Sequence, residues 1–233
     1  MILQLPETTE PESEAPRSQT SLAYEAIRTA ILTGKHLPEK KLKIQELAAE
    51  LDISPGAVRE ALSRLVPEQL VVSRDQRGFL VAPLSISDLN DLTDLRCEIE
   101  AIALRRSVAL GDVEWEAGIL AAEHRLRKDL TNLDESEAKR IWVQNHAIFH
   151  NALVSACGSR RLLTLHAQLY EQSERYRVFQ NYVEPSRKVE TEHHEIAEYA
   201  LDRDADRLVT AVVNHLRLTT ELIAKAIDPR PTA

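Results

Sequence analysis

The chain has 233 residues, 43% of them hydrophobic and 28% charged, with a formal net charge of −8, 6 glycines and 2 cysteines. That size and apolar content suit two domains with proper cores, so no disulfide framework is needed, and the scarcity of glycine disfavours a turn-rich β architecture. No apolar run reaches membrane-spanning length and the start lacks a basic region followed by a hydrophobic one, so a cytoplasmic protein with reduced cysteines is expected.

The acidity is unevenly spread. Residues 20–84 carry 9 Lys/Arg against 8 Asp/Glu, whereas residues 85–233 carry 19 against 25. The first part is therefore near neutral, which permits contact with nucleic acid without arguing for it.

Residues 1–17 hold Pro6, Pro11 and Pro16 among Glu7, Glu10, Glu12 and Glu14, too polar and proline-broken to pack, and a disordered tail is expected. From Ser21, Leu22, Ala26, Ile27, Ala30 and Ile31 recur at amphipathic spacing, predicting a helix over 18–33 capped by Gly34. A loop through Pro38, Lys40, Lys41 and Lys43 leads to a second helix over 44–51, with Leu47 and Ala48 inward. Next, Ser54 can accept from orphan amides, Pro55 suits the first helical position, and Val58, Ala61, Leu62 and Leu65 follow at helical spacing. This third helix is expected over 55–68, with Ala57, Arg59, Glu60, Ser63 and Arg64 on its outer face. Two helices meeting at a tight turn outline a helix-turn-helix, whose second helix reads the DNA major groove. The β-prone runs Val71-Val72-Ser73 and Phe79-Leu80-Val81 flank a charged tip and predict a hairpin. It would put Arg74, Arg77 and Gly78 where a wing meets phosphate or the minor groove.

Pro83-Leu84-Ser85 marks a boundary between an expected DNA-binding domain, 18–84, and a second domain, 85–233. Helices are predicted over 87–110, 113–131, 134–157, 159–183, 186–202 and 204–227, with breaks at Gly111, Asn132, Gly158 and Pro185. Cys97 and Cys157 sit inside apolar helical patterns and read as small core residues. The expected fold class is mainly α: an N-terminal winged helix-turn-helix with a small β-hairpin wing, then a C-terminal antiparallel helical bundle of the kind that builds ligand and metal sites between facing helices.

Residues 22–84 resemble the winged-helix head of the GntR transcriptional regulators. The likeness lies in Ile27-Arg28, Ile31 before Gly34, Pro38 with Leu42, Glu46-Leu47-Ala48 and, above all, Val58-Arg59-Glu60-Ala61-Leu62. Residues 87–227 resemble the all-helical (FCD) effector domain of the FadR-type branch, through Arg96 and Glu100, Phe149-His150, His193-x-x-Ile196 and His215-Leu216. The resemblance implies a transcription factor, usually a repressor, that binds a palindromic double-stranded DNA operator as a homodimer and responds to a small carboxylate effector in the helical domain. Three positions depart from the pattern: Pro55 and Gln45 stand where arginines are usual or frequent, and His146 stands where Asp or Asn is usual.

Arg59, one turn into the third helix, can present its planar fork to guanine O6 and N7; otherwise it is a solvated arginine paired with Glu60 or Glu68. Ser54, Gly56 and Ala57 would meet phosphate or a thymine methyl at the helix start, with Arg64 further along the same outer face.

His146 and His150, four apart on one helix face, can converge on one ion, although such a pair taken alone also suits core packing. The resemblance adds His193 and His215 as ligands. Four neutral imidazoles suit a divalent transition metal, Zn or Ni foremost, better than Mg or Ca. Arg96 would anchor the acid's carboxylate, or else form an i, i+4 pair with Glu100; Asn145, Tyr170 and Tyr176 could line the same cavity. His194 would face solvent, and His36, His124 and His166 have no partner that the pattern identifies. Between His146 and His150 stand Ala147 and Ile148, so the Glu of a His-Glu-x-x-His hydrolase is missing. No phosphate-cradling loop or nucleophile triad appears, and an enzyme is not expected. The alternatives are a regulator that responds to the metal itself and a helical metalloenzyme.

Overall fold

The computed structural model describes residues 18–74, 78–128, 132–177 and 188–227. The expected tail over 1–17, the wing residue Arg77, and the Pro185 break with the end of the 159–183 helix lie outside these. The described residues form two compact units, the first comprising 18–31 and His36–Ala82, the second centred on Pro83 onward.

The first unit contains α1 (Gln19–Leu32), β1 (Lys41–Leu42), α2 (Ile44–Leu51), α3 (Pro55–Leu65), β2 (Val71–Arg74) and β3 (Gly78–Val81). Asp52 ends α2 in the left-handed region, φ 52° and ψ 47°, and donates its N–H to the Ala48 carbonyl; a short polar side chain tolerates that conformation better than most. Two residues later Ser54 Oγ accepts from the Ala57 amide at 3.3 Å. Pro55, lacking an N–H, sits where none is needed. Val58, Ala61, Leu62 and Leu65 are fully buried, and burying Leu62 alone stabilises the unit by about 1.5–3 kcal/mol. The helix stops at Leu65 rather than the expected 68, because Pro67 cannot donate back into it and the chain turns at Gln69 with φ 58°.

The three strands form one antiparallel sheet in the order β1-β3-β2, with Leu42 opposite Phe79 and Val72 opposite Leu80. The expected hairpin is β2–β3. Strand β1 falls where a loop was expected: two residues are too few for a period-2 pattern, and pairing with β3 alone makes them a strand.

The second unit contains α4 (Ile86–Leu110), α5 (Val113–Leu126), α6 (Glu135–Val154), α7 (Arg160–Arg177), α8 (Val189–Leu201) and α9 (Ala205–Ile227). Ser85, Asp112 and Asp134 cap α4, α5 and α6, each accepting an amide three residues on. The corner between α4 and α5 needs Gly111, where a Cβ would come within 2.3 Å of the Trp115 ring. Helix α4 packs against α9, α7 and α6, α5 against α6 and α8, and α8 against α9. The main core includes Leu104, Trp115, Ile119, Phe149, Leu153, Ile196 and Leu216, and both cysteines are buried beside them. Among the described residues no helix is long and apolar enough to cross a membrane.

Candidate functional site

On α3 the buried stripe fixes what faces outward. Ser54, Gly56, Arg59, Glu60, Ser63 and Arg64 are exposed. Ala57, expected outside, is 8% exposed at the edge of the buried stripe, one turn before Ala61. The carboxylates that could have taken Arg59 are engaged elsewhere: Glu60 accepts from Thr20 at 3.2 Å, and Glu68 accepts from Tyr24 at 2.5 Å and from Arg28 at 3.4 Å. Arg64 lies over the Tyr24 ring of α1, 4.5 Å from its centroid. Gly78, at the start of β3, has φ 77°, a conformation that glycine adopts without strain. Around Gly56 a Cβ would meet nothing within 4 Å, so the backbone at the start of α3 stands open.

In the second unit His146 and His150 of α6, His193 of α8 and His215 of α9 come together, 1–3% exposed. One ligand nitrogen from each lies within 4.8 Å of all the others. The i, i+4 spacing puts the first two on the inner face of α6, their Nε2 atoms 3.1 Å apart. Trp142 stacks on His146 at 4.8 Å, and Phe149 meets His150 and His193 edge-on. Burial first, then the charge of Arg177 and the neighbouring imidazoles, holds His146 well below the ordinary histidine pKa. Burial and its neighbours His215 and His193 do the same for His150. Both are thus neutral near pH 7, the form in which imidazole binds a metal.

The surroundings fit an ion. His215 Nδ1 lies 2.7 Å from Glu192 Oε2, an arrangement that puts the proton on Nδ1 and aims the Nε2 lone pair into the cluster, as a carboxylate behind a metal-bound histidine does. Among the described residues the buried His150 Nδ1 makes no hydrogen bond. Four convergent imidazoles form a donor set for a transition ion rather than for Mg or Ca.

Beside the cluster runs a buried charged network. Arg96 is 8% exposed; its Nη1 donates to Ser173 Oγ at 2.9 Å, its Nη2 lies 3.5 Å from Glu100 Oε1, and its guanidinium stands 5.4 Å from the Tyr170 ring centroid. The i, i+4 pair with Glu100 therefore forms, but inside the bundle rather than on an exposed face. Burial alone would raise the Glu100 carboxyl; the His166 hydrogen bond and the charges of His166 and Arg96 outweigh it and hold the group below the usual range. Tyr170 Oη lies 2.9 Å from His146 Nδ1, which links the arginine's neighbourhood to the cluster. Tyr176 lies elsewhere, hydrogen-bonded to Asp88 near the start of α4. Asn145 gives its amide to the Arg125 carbonyl of α5 at 2.9 Å.

Sequence reasoning missed three neighbours: His166 as the partner of Glu100, Glu192 as the partner of His215, and Arg177, whose Nη1 is 3.3 Å from His146 Nδ1. Arg177 was legible in principle, since Tyr170, Ser173 and Arg177 recur at i, i+3 and i+7 on one face of α7. His194 is half exposed and paired with Glu123 at 2.8 Å.

A winged helix-turn-helix joined in one chain to a helical unit with an internal polar site defines a DNA-binding regulator. The family of bacterial regulatory proteins named gntR matches residues 19–81, and the FCD domain matches residues 91–218. The HTH-type transcriptional regulator BphR of Paraburkholderia xenovorans (strain LB400) is 37% identical over 210 residues, which covers 89% of this chain and 86% of BphR. The HTH-type transcriptional repressor GlaR of Escherichia coli (strain K12) is 34% identical over 215 residues, 89% of this chain and 97% of GlaR. In fold alone, the chain is similar to E. coli McbR/YncC, with TM-score 0.75, 18% identity, 91% of this chain and 100% of the other covered. It is likewise similar to a GntR regulator structure from Rhodococcus sp. RHA1, with TM-score 0.70, 22% identity and coverages of 89% and 98%. The chain belongs to the GntR family, with an FCD domain; it is a transcriptional regulator and not an enzyme.

Proposed function

We propose that the protein is a homodimeric repressor whose hold on a palindromic operator is controlled by a small organic acid bound beside a divalent transition metal, Zn or Ni. The observation that carries this reading is the convergence of His146, His150, His193 and His215 inside the helical domain of a DNA-binding regulator. The ion would supply a Lewis-acidic point of attachment for a carboxylate oxygen. Arg96, on α4, would take the acid's carboxylate through guanidinium donors not used on Ser173 and Glu100.

At the DNA, Arg59 reads a guanine, while Ser54, Gly56 and Ala57 offer the start of α3 to phosphate, with Arg64, Arg77 and Gly78 as flanking contacts. The exposure of Arg59, and the engagement of Glu60 and Glu68 with other groups, support that assignment. Acid binding at Arg96 acts on α4, which begins five residues after β3 ends, and so alters the spacing of the two heads on their half-sites.

The test is a mobility-shift titration of metal-loaded and chelator-stripped protein on DNA upstream of its own reading frame, with and without a panel of small acids. Specific binding that an acid relieves only in the metal-loaded protein is expected. A shift governed by metal alone would replace the acid with the metal as signal, and no specific complex under any condition would overturn the reading.

A further inference from the structure

Among the described residues two guanidiniums, not one, stand next to the histidine cluster. Arg177 closes α7 with Nη1 3.3 Å from His146 Nδ1 and 3.4 Å from its Nε2, and with Nε 3.3 Å from Glu174 Oε1. Arg96 reaches the same place through Tyr170, whose ring it faces and whose hydroxyl meets His146.

Once His146 ligates an ion, the contact with Arg177 loses its chemical sense. A ligating imidazole gives one lone pair to the metal and carries a proton on the other nitrogen, and a guanidinium can only donate. Neither nitrogen of His146 then accepts from Arg177, so Nη1 requires another acceptor in a region where an unmet charged donor is costly.

Charge leads to the same requirement. Glu100 offsets Arg96 and Glu174 offsets Arg177, while Glu192, at the outer nitrogen of His215, is partly open to solvent. The four ligands bring no charge, so a divalent ion adds its full charge to the site. A carboxylate at position 146 would cancel one unit; the neutral imidazole of His146 cancels none, and a ligand with two negative groups fits the remaining surplus better than one with a single group.

We propose that Arg177 is a second anchor for the effector and that the effector is a dicarboxylate, held by the ion and Arg177 at one end and by Arg96 at the other. This rests on the metal-and-acid reading above. It makes Arg177 the specificity-determining residue, the group that separates diacids from monoacids.

The experiment is calorimetric titration of the metal-loaded full-length protein with succinate, glutarate and adipate, each against the monocarboxylate of equal carbon number, with metal content measured on the same samples. At least one diacid is expected to bind on the order of tenfold or more tightly than its monoacid, and Arg177→Met to cost that diacid on the order of tenfold to hundredfold while leaving the monoacid nearly unchanged. Arg177→Lys keeps the charge without the fork and recovers part of the affinity, so it carries the test should the methionine variant fold poorly. His146→Asp is expected to keep the ion and shrink the diacid preference. Equal binding of diacids and monoacids, or an Arg177→Met loss shared equally by both, overturns this inference while an ion remains bound. Protein that takes up no ion overturns the metal reading along with it.

Discussion

Helix α3 and the histidine cluster, the two regions to which function is proposed, are built in opposite ways. In α3 the apolar stripe from Val58 to Leu65 and the outward face that bears Arg59 lie within one run of eleven residues, so local spacing decides both. The cluster takes two residues from α6, one from α8 and one from α9, and no local pattern joins them. The exposed face depends on side chains that point away from the core, whereas the cluster depends on three helices holding their positions relative to one another. The first tolerates substitution without loss of fold; in the second, packing and chemistry cannot be separated.

Variants can break or sharpen that contrast. The largest effect is expected from His193→Ala, which takes away one of the four proposed ligands and should weaken metal binding by more than the roughly hundredfold typical of losing a supporting residue; competition with a chromophoric chelator reads it. Arg59→Ala should lower operator affinity by about 1–3 kcal/mol, the contribution of one guanine contact, with no change in the thermal unfolding midpoint. A fall in that midpoint would tie Arg59 to the fold and erase the contrast.

Next comes pH. The folded pKa values of His146 and His150 lie well below 6.5, so below about pH 6.5 the unfolded chain binds protons that the folded chain refuses. Stability of the metal-free protein therefore rises with pH and is lost as pH falls below 6.5, by up to about 1.4 kcal/mol per pH unit for each histidine. Denaturant melts at pH 7.5, 6.5 and 5.5 measure the slope, and a flat profile would contradict neutral buried imidazoles. Glu192→Gln should weaken metal binding by about tenfold through His215 while leaving operator affinity of the loaded protein intact. The smallest effect is expected at Ser54→Ala, where loss of the cap on α3 costs about 1 kcal/mol of stability in the first unit.

The same contrast explains what could be read from the sequence. The order of helices, the Ser54–Pro55 start of α3 and the strands on either side of the wing are set by neighbours in the chain. Their spacing therefore shows directly, within a few residues at the ends. Strand β1 did not show, because Lys41 and Leu42 become a strand only through pairing with β3. His146 and His150 could be paired from their spacing, but joining them to His193 and His215 took the family resemblance. Glu192 and His166 escaped because the partners His215 and Glu100 lie 23 and 66 residues away on other helices, and Arg177, though its face of α7 shows in the spacing, because His146 lies 31 residues away on α6.

The most direct test of the central claim is X-ray absorption spectroscopy of the protein loaded with one equivalent of Zn or Ni. One tightly held ion per chain is expected, with imidazole scattering from four histidines at about 2.0–2.1 Å for Zn, reduced in His193→Ala. Failure to retain an ion, or imidazole scattering unchanged when His193 is removed, would overturn the four-histidine site.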